Sequence, residues 1–337
     1  MSIITKIISA SVALLVQLCA LTGLPFLGKE NETPVDLSEG GDPFMVEDGG
    51  YTYYTYTLND RIDIIKIASP EDTATLEHKT VYTLGQDGVR DNIWAPEIFK
   101  IGEKWYIISC GVFDSETVPR GAMPNGNADE DHGDYYRYGF VLESKTDDIM
   151  GEYEFKGILA PDGLNNIDGT YFRHGEKLYY VCSAYLNVGH QCIYIAEMEN
   201  PYTLKSDQKG AMISEPEYNW EKTGWWVNEG PAALYKGDSS YLVYSASGYS
   251  SGGYCMGILT LSGDDPMNPR CWVKSAIPFF SKNTTAGLYH TGHCSFLYRE
   301  DDIYMVFHAT DSEDFGAKPR CTYIRKLNFI GNCPISV

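Results

Sequence analysis

The clearest fold signal in the chain is the stretch DGTYFRHGEKLYYVCSAY, residues 168–185. It consists of two aromatic-rich runs, TYF and LYYV, on either side of the polar turn HGEK at residues 174–177. Glycine and charged residues between β-rich runs are typical of a hairpin turn. No helical periodicity is visible, so the stretch predicts two paired strands that follow the polar residue Asp168.

Three more stretches share this pattern, with turns IGEK, KGDS and REDD before the runs WYII, YLVY and IYMV, and a fifth unit begins at DPFMVEDGG. Each unit opens on a signal residue, and these residues are separated by 52, 74, 61 and 64 positions: Asp42, Trp94, Asp168, Glu229 and His293. Repeated multi-strand units at such a period predict an all-β, five-bladed β-propeller. A β-sandwich is the alternative, but it would not explain five matched hairpins.

The innermost strands of a propeller converge on the central axis, so we expect the five signal residues to point into one cavity. Three of them are acids, namely Asp42, Asp168 and Glu229. Like charges raise one another's pKa, which makes such a group costly unless it has a task. Hydrolysis of a glycosidic bond uses two carboxyl groups, one as proton donor and one as base or nucleophile. The pattern favours Glu229 as acid, Asp42 as base and Asp168 as the group that tunes Glu229.

The composition excludes some partners. The chain has 337 residues, of which 43% are hydrophobic and 21% charged, and its formal net charge is −20. No basic surface offsets this charge, so nucleic acid is not an expected partner. An acidic protein of this kind is suited to neutral or cationic partners.

The amino terminus has the pattern of a secretory signal. Lys6 precedes a long apolar run, and polar sequence follows it. We therefore predict a signal peptide at residues 1–23, with cleavage after Ala20 or Gly23, a linker at 24–39 and a single catalytic domain at 40–337. An uncleaved membrane anchor is the alternative. After signal cleavage we expect an extracellular protein without stable membrane insertion, and glycosylation sequons at Asn31 and Asn283 agree with secretion.

The cysteines leave two interpretations open. The sequence has nine, and removal of Cys19 with the signal leaves eight. Cys182 and Cys192 lie in neighbouring strand-like runs, so they are either a cross-strand disulfide or two buried thiols. No CxxC pair is present, which argues against a structural zinc site.

Five short motifs, DPF, NIWAPEI, NIDGTYF, NEGPA and TGHCSF, follow one another in an order and spacing that resemble glycoside hydrolase family 43. The resemblance covers the chain from about Gly40 to Asn328. It implies a five-bladed propeller, inversion of configuration, and a trio of base, pKa modulator and acid that fall on Asp42, Asp168 and Glu229. It implies no required cofactor.

The resemblance also implies roles around the trio. His293 corresponds to an axial histidine that holds a water or a structural Ca²⁺; the alternative is a histidine that only fills the core. Trp94 is expected either to form the floor of the sugar pocket or to pack at the start of blade two. Arg320 matches a sugar-binding arginine, or it is a solvated surface residue. Glu97 is expected to be structural, and the polar insertion at residues 115–134 is expected to cover the mouth of the cavity.

The amino-acid sequence of blades four and five is similar to that of the α-L-arabinofuranosidases of the family. The resemblance implies release of terminal arabinose from plant cell-wall arabinan or arabinoxylan. A β-xylosidase, or an enzyme with both activities, is the second hypothesis. A propeller that binds carbohydrate without cleaving it is the third.

Overall fold

The structure, a computed structural model, describes residues 33–34, 40–124, 136–186 and 190–335. The predicted signal peptide, the sequon at Asn31, most of the linker and part of the blade-two insertion lie outside the described residues. Strand β1 (Thr33–Pro34) comes first and pairs with a strand near the carboxyl end, as described below. In the described part of the chain, no helix is long and apolar enough to cross a membrane.

The described chain folds into five antiparallel sheets, which are the predicted blades. Blade one contains β2 (Phe44–Asp48), β3 (Tyr51–Thr55), β4 (Arg61–Ser69) and β5 (Asp72–Thr83). Blade two contains β6 (Val89–Ile101), β7 (Lys104–Phe113), β8 (Tyr136–Ser144) and β9 (Tyr153–Leu159). Blade three contains β10 (Asn166–His174), β11 (Lys177–Tyr185) and β12 (Gln191–Asn200), with β13 (Thr203–Leu204) and β14 (Ala211–Ser214) both paired to β12.

Blade four contains β15 (Asn228–Lys236), β16 (Ser239–Ala246), β17 (Cys255–Leu261) and β18 (Trp272–Lys274). Blade five contains β19 (Tyr289–Arg299), β20 (Asp302–Thr310) and β21 (Cys321–Lys326), and its outer strand is β1. A terminal hairpin, β22 (Asn328–Ile330) and β23 (Cys333–Ile335), follows. Short 3₁₀ turns lie between strands at Pro161–Gly163, Asn219–Glu221 and Pro269–Cys271.

The first strands of the blades form a closed ring. Strands β2, β6, β10, β15 and β19 contact one another in that order, and β19 contacts β2 again. Strand β1 joins the start of the described chain to the last blade, so that the sequence closes the circle of blades. The predicted five-bladed β-propeller is confirmed.

The core explains why the strands are apolar on both faces. One hydrophobic cluster fills each of the five interfaces between neighbouring blades. In β11, Tyr179 and Val181 pack towards blade four, whereas Tyr180 and Cys182 pack towards blade two. Successive strand residues point to opposite faces, so a blade between two others must be apolar at both sets of positions.

A bulge interrupts the inner strand of the blades near the axis. Pairing with the second strand shifts register between Trp94 and Glu97, Ile167 and Thr170, Glu229 and Ala232, and Gly292 and Ser295. One residue in or beside each interruption, and its counterpart before β2, has a left-handed backbone: Asp42 (φ 58°), Ala95 (45°), Asp168 (54°), Gly230 (52°) and His293 (44°). Bulges of this kind redirect side chains and recur beside active sites.

These five residues, rather than the five predicted ones, are equivalent. Trp94 and Glu229 each lie one position before the left-handed residue of their blade, so the five signal residues do not all occupy matching positions. Side chains point in alternating directions along a strand, so a shift of one position changes the direction in which a side chain points. Glu229 therefore enters the axial region differently from Asp42 and Asp168.

The eight described cysteines are all free, which contradicts a Cys182–Cys192 disulfide. The register gives the reason, because Cys182 lies opposite Tyr194 and Cys192 lies opposite Ala184. Both thiols are buried, as the alternative interpretation required.

Candidate active site

Asp42 lies at the axial end of blade one and is held on both carboxylate oxygens. Arg320 Nη1 donates to Oδ1 at 2.8 Å, and Thr57 Oγ1 donates to Oδ2 at 2.8 Å. His293 Nδ1 lies 3.4 Å from Oδ1. Burial alone would raise the pKa of Asp42, but the charges of Arg320 and His293 outweigh it and hold the pKa well below its usual value. Asp42 is therefore an ionised carboxylate at neutral pH.

Thr57 sets the direction of the Asp42 carboxylate. The backbone N–H of Ala95 donates to Thr57 Oγ1 at 2.7 Å, so the hydroxyl proton of Thr57 is free to point at Asp42. The left-handed backbone of Ala95 belongs to blade two. The bulge of one blade thus orients the carboxylate of its neighbour.

His308 is in its neutral form and contacts the backbone of Asp42. The backbone N–H of Asp42 donates to His308 Nδ1 at 3.1 Å, which requires Nδ1 to be an acceptor and places the ring proton on Nε2. The ring is completely buried. Burial and the nearby charge of Arg320 lower the pKa of His308 to about 4, although Asp42 acts in the opposite direction.

Asp168 is a buried carboxyl between blades three and four. The backbone N–H of Gly230 donates to its Oδ2 at 3.1 Å, and His293 Nδ1 lies 3.9 Å from the same oxygen. Burial raises the pKa of Asp168 to about 7; the charge of His293 opposes this, and the charges of Glu229 and Asp42 add to it. The pKa of Asp168 is thus raised, whereas the pKa of Asp42 is lowered because Asp42 has Arg320 as a partner.

Glu229 is partly buried and has two polar partners. Tyr254 Oη donates to Oε1 at 2.9 Å, and Gln191 Nε2 lies 3.5 Å from Oε2. Burial raises the pKa of Glu229 to about 7, with the charge of Asp42 adding to the effect and Tyr254 opposing it. A Cβ at Gly292 would lie 2.0 Å from the Tyr254 ring, so only glycine there leaves room for this tyrosine.

The predicted residue Arg320 is part of this site rather than a solvated surface arginine. Its side chain is 26% exposed, and it pairs with a carboxylate 278 positions away in the sequence. A Cβ at Gly41 would lie 2.5 Å from the guanidinium carbon, so the glycine before Asp42 is what admits Arg320. The GGDPF motif therefore provides both the carboxylate and the space for its partner.

Trp94 lies at the edge of the site in blade two. Its indole Nε1 donates to Asn59 Oδ1 at 2.9 Å, and the Arg137 guanidinium stacks over its ring at 3.9 Å. The ring is fixed by these contacts, and a role as the floor of a sugar pocket stays a prediction. Glu97, expected to be structural, is buried, and burial raises its pKa to about 8.

The described residues do not present a calcium site at His293. Ca²⁺ takes six to eight oxygen ligands, whereas Asp42 and Asp168 here surround a histidine, and Arg320 already neutralises Asp42. Within residues 40–124, 136–186 and 190–335, the one group of three or more His, Cys, Asp or Glu side chains with ligand atoms within 4.8 Å of one another is His190, Cys192 and Glu215. Its mixed nitrogen, sulfur and oxygen donors are not a typical calcium set.

Several residues of the site were not predicted from the sequence: Thr57, Gln191, Tyr254 and His308. All four lie in or next to the second or third strand of a blade. Because neighbouring strands are antiparallel, these strands have one end close to the carboxyl groups on the inner strands. The sequence offered a signal for His308, which lies within the apolar run IYMVFHAT. A histidine in such a run is expected to be buried, and a buried histidine needs a hydrogen-bond partner.

The chain matches the family model described as Glycosyl hydrolases family 43 over residues 32–331. It is 32% identical to an extracellular exo-α-(1→5)-L-arabinofuranosidase of Streptomyces chartreusis, covering 89% of this chain and 90% of that protein. It is 28% identical to α-L-arabinofuranosidase 43 of Humicola insolens, covering 96% of this chain and 66% of that protein. A corresponding enzyme of Streptomyces avermitilis, 32% identical over 80% of this chain, is matched over 54% of its own length.

Solved structures agree with these matches. The crystal structure of an α-L-arabinofuranosidase from Lactobacillus brevis superposes with a TM-score of 0.76 at 29% identity, covering 90% of this chain and 95% of that one. A xylan β-1,4-xylosidase from Bacillus halodurans superposes with a TM-score of 0.64 at 15% identity, which shows a shared fold. The predicted family is confirmed, and the chain belongs to glycosyl hydrolases family 43.

Proposed function

We propose that this protein is a secreted, inverting α-L-arabinofuranosidase that releases terminal arabinose from plant arabinan or arabinoxylan. One observation carries the proposal: neighbouring carboxyl groups have pKa values displaced in opposite directions. The pKa of Asp42 is held below its usual value, and those of Glu229 and Asp168 are raised to about 7. Environments that separate the pKa values of carboxyl groups assign the roles of acid and base.

In the proposed reaction, ionised Asp42 is the general base. It removes a proton from a water that attacks the anomeric carbon. Arg320 and Thr57 hold the carboxylate in place, because each donates to one of its oxygens at 2.8 Å. The low pKa makes Asp42 a weak base that is available across a wide pH range.

Glu229 is the proposed general acid. Its raised pKa keeps a fraction protonated near neutral pH, so it can donate a proton to the departing glycosidic oxygen. Asp168 is a positioning residue. It accepts the backbone N–H of Gly230, the residue after Glu229, and its charge favours a proton on Glu229.

The arabinose specificity is supported by the relatives that share 28–32% identity with this chain, all named as arabinofuranosidases. Secretion is supported by the leader-like sequence at residues 1–23 and by the extracellular names of the Streptomyces relatives. Sequencing the amino terminus of the mature protein tests the processing step.

The test of function is hydrolysis of a nitrophenyl α-L-arabinofuranoside compared with the nitrophenyl β-D-xyloside. We expect release from the first, and Asp42→Asn should remove most of it without changing the melting temperature by more than a few degrees. Asp72→Asn, an exposed aspartate on the outer strand of blade one, is the matched control and should be fully active. Preference for the xyloside would favour the β-xylosidase hypothesis. Retained polysaccharide binding with no release from either glycoside would indicate a carbohydrate-binding propeller.

A further inference from the structure

Large aromatic side chains are exposed beside the site. Trp225 is 63% exposed, Trp226 is 50% exposed and Tyr249 is 42% exposed. Exposing an indole to water forgoes the stabilisation that its burial would give, so neighbouring exposed aromatic rings are a common mark of a binding surface.

These rings lie at the same end of the propeller as the carboxyl groups. Trp225 lies shortly before β15, which begins at Asn228, the residue before Glu229. Tyr249 follows β16, whose last residue Ala246 pairs with Asn228 at the start of β15. Phe315 follows β20, whose last residue pairs with the start of β19. Three separate loops therefore bring aromatic rings to one rim.

The rings form a connected path, called here the aromatic arc and defined by Trp225, Tyr249 and Phe315. The centroid of Tyr249 is 6.5 Å from that of Trp225 and 5.3 Å from that of Phe315. The guanidinium carbon of Arg320 lies 5.8 Å from the Tyr249 centroid. Arg320 in turn contacts Asp42 at 2.8 Å, so the arc runs directly into the candidate active site.

The backbone holds Trp225 in place. The N–H groups of Trp225 and Gly248 both donate to the carbonyl of Thr223, at 3.0 and 2.9 Å, which ties the loop before β15 to the loop after β16. Gly224 adopts a left-handed φ of 75° that favours glycine. Because these bonds hold the backbone that carries the ring, less entropy is lost when the ring binds a ligand, which suits stacking against the apolar face of a sugar ring.

The position of the arc indicates which part of a substrate it meets. A general acid must contact the oxygen of the leaving group, so the leaving group passes Glu229. Trp225 lies four positions before Glu229 in the same segment of blade four. We propose that the aromatic arc is a binding subsite for sugar residues on the leaving-group side of the bond cleaved; this proposal rests on the proposed function.

The test compares a short and a long substrate in wild type and Trp225→Ala. On arabinan or arabino-oligosaccharides, Trp225→Ala should lower kcat/KM about 2- to 12-fold, the factor that corresponds to the loss of one aromatic stacking contact. On methyl α-L-arabinofuranoside, whose methanol leaving group has neither a further sugar nor a ring that could stack, kcat/KM should stay unchanged. Trp225→Phe should recover most of the loss because it keeps an aromatic face.

Tyr51→Ala is the matched control. Tyr51 is 40% exposed, close to the value for Tyr249, but it lies after the first turn of blade one, at the far end of β2 from Asp42. It should leave both substrates unaffected. Equal kcat/KM of wild type and Trp225→Ala on the polymer, or an equal loss on both substrates, overturns the proposal.

A failure of the proposed function is distinguishable, because wild type would then release nothing from the nitrophenyl arabinofuranoside. In that event, calorimetric titration of wild type and Trp225→Ala with arabino-oligosaccharide tests the arc directly. Weaker binding by the variant supports the subsite, whereas equal binding, or no binding by wild type, overturns it.

Discussion

Replacing Arg320 with methionine would remove the charge that keeps Asp42 ionised while preserving most of the side-chain volume. The guanidinium is the largest contribution that opposes the effect of burial on this carboxyl group, at a contact of 2.8 Å. An adjacent arginine lowers the pKa of an aspartate by about 1–3 units. Without it, burial is opposed by the smaller effects of His293 and His308, so the pKa of Asp42 should rise by about this amount.

The assay is the pH dependence of kcat/KM on the nitrophenyl arabinofuranoside. In wild type, protonation of Asp42 should cause no loss of activity above about pH 4, because its pKa lies well below the usual value. In Arg320→Met an acidic limb should appear at a pH about 1–3 units higher than in wild type. Arg320→Lys, which keeps the charge, is the control and should move the limb less.

Stability provides a second measurement of the same interaction. A depressed pKa in the folded state stabilises the protein above the unfolded pKa of about 3.9, and this stability is lost as the pH falls through the folded pKa. A change of 1–3 units corresponds to about 1.4–4 kcal/mol. Arg320→Met should therefore lose more unfolding free energy at pH 7 than at pH 4. An acidic limb that stays at the wild-type pH, with the same stability loss at both pH values, would refute the reasoning.

The remaining predictions concern Glu229, its neighbours and the cysteines. Glu229→Gln should lose far less activity on a dinitrophenyl arabinofuranoside than on arabinan, because an acidic leaving group needs little protonation; equal losses would contradict the acid role. The alkaline limb of kcat/KM should fall near pH 7 as Glu229 deprotonates. Asp168→Asn should shift that limb to lower pH by removing a negative charge, and Tyr254→Phe should shift it to higher pH by removing a hydrogen bond to the carboxylate; shifts of the same sign would contradict the assignment. A reducing agent should leave the melting temperature unchanged, because Cys182 and Cys192 are free, and a drop would indicate a disulfide.

The architecture was predictable because its signal is local. Each hairpin carries its own turn residues and its own aromatic runs, as residues 168–185 do. Alternation of Tyr179 and Tyr180 between two interfaces follows from the same short pattern. Five repetitions of a local signal were enough to predict five blades.

The register of the inner strands could not be predicted in the same way. A bulge inserts a residue without any signal in the amino-acid composition. The repeat therefore aligned Glu229 with Asp168, whereas the structural counterpart of Asp168 is Gly230. A glycine after the acid was a partial signal, since glycine tolerates the left-handed backbone.

The partners of Asp42 were hidden for a different reason. His308 and Arg320 lie 266 and 278 positions away, and they reach Asp42 only because the last blade closes against the first. Thr57 is near in sequence but looks like an ordinary strand-end residue. Contacts that depend on ring closure carry no local pattern, which is why the acids could be predicted and the groups that set their pKa values could not.

Proton NMR of the first sugar released from an aryl α-L-arabinofuranoside tests the central claim most directly. A water activated by Asp42 on the face opposite Glu229 should give β-L-arabinofuranose first, with the α anomer appearing only later by mutarotation. Initial appearance of the α anomer would contradict single displacement, and with it the assignment of Asp42 as the general base.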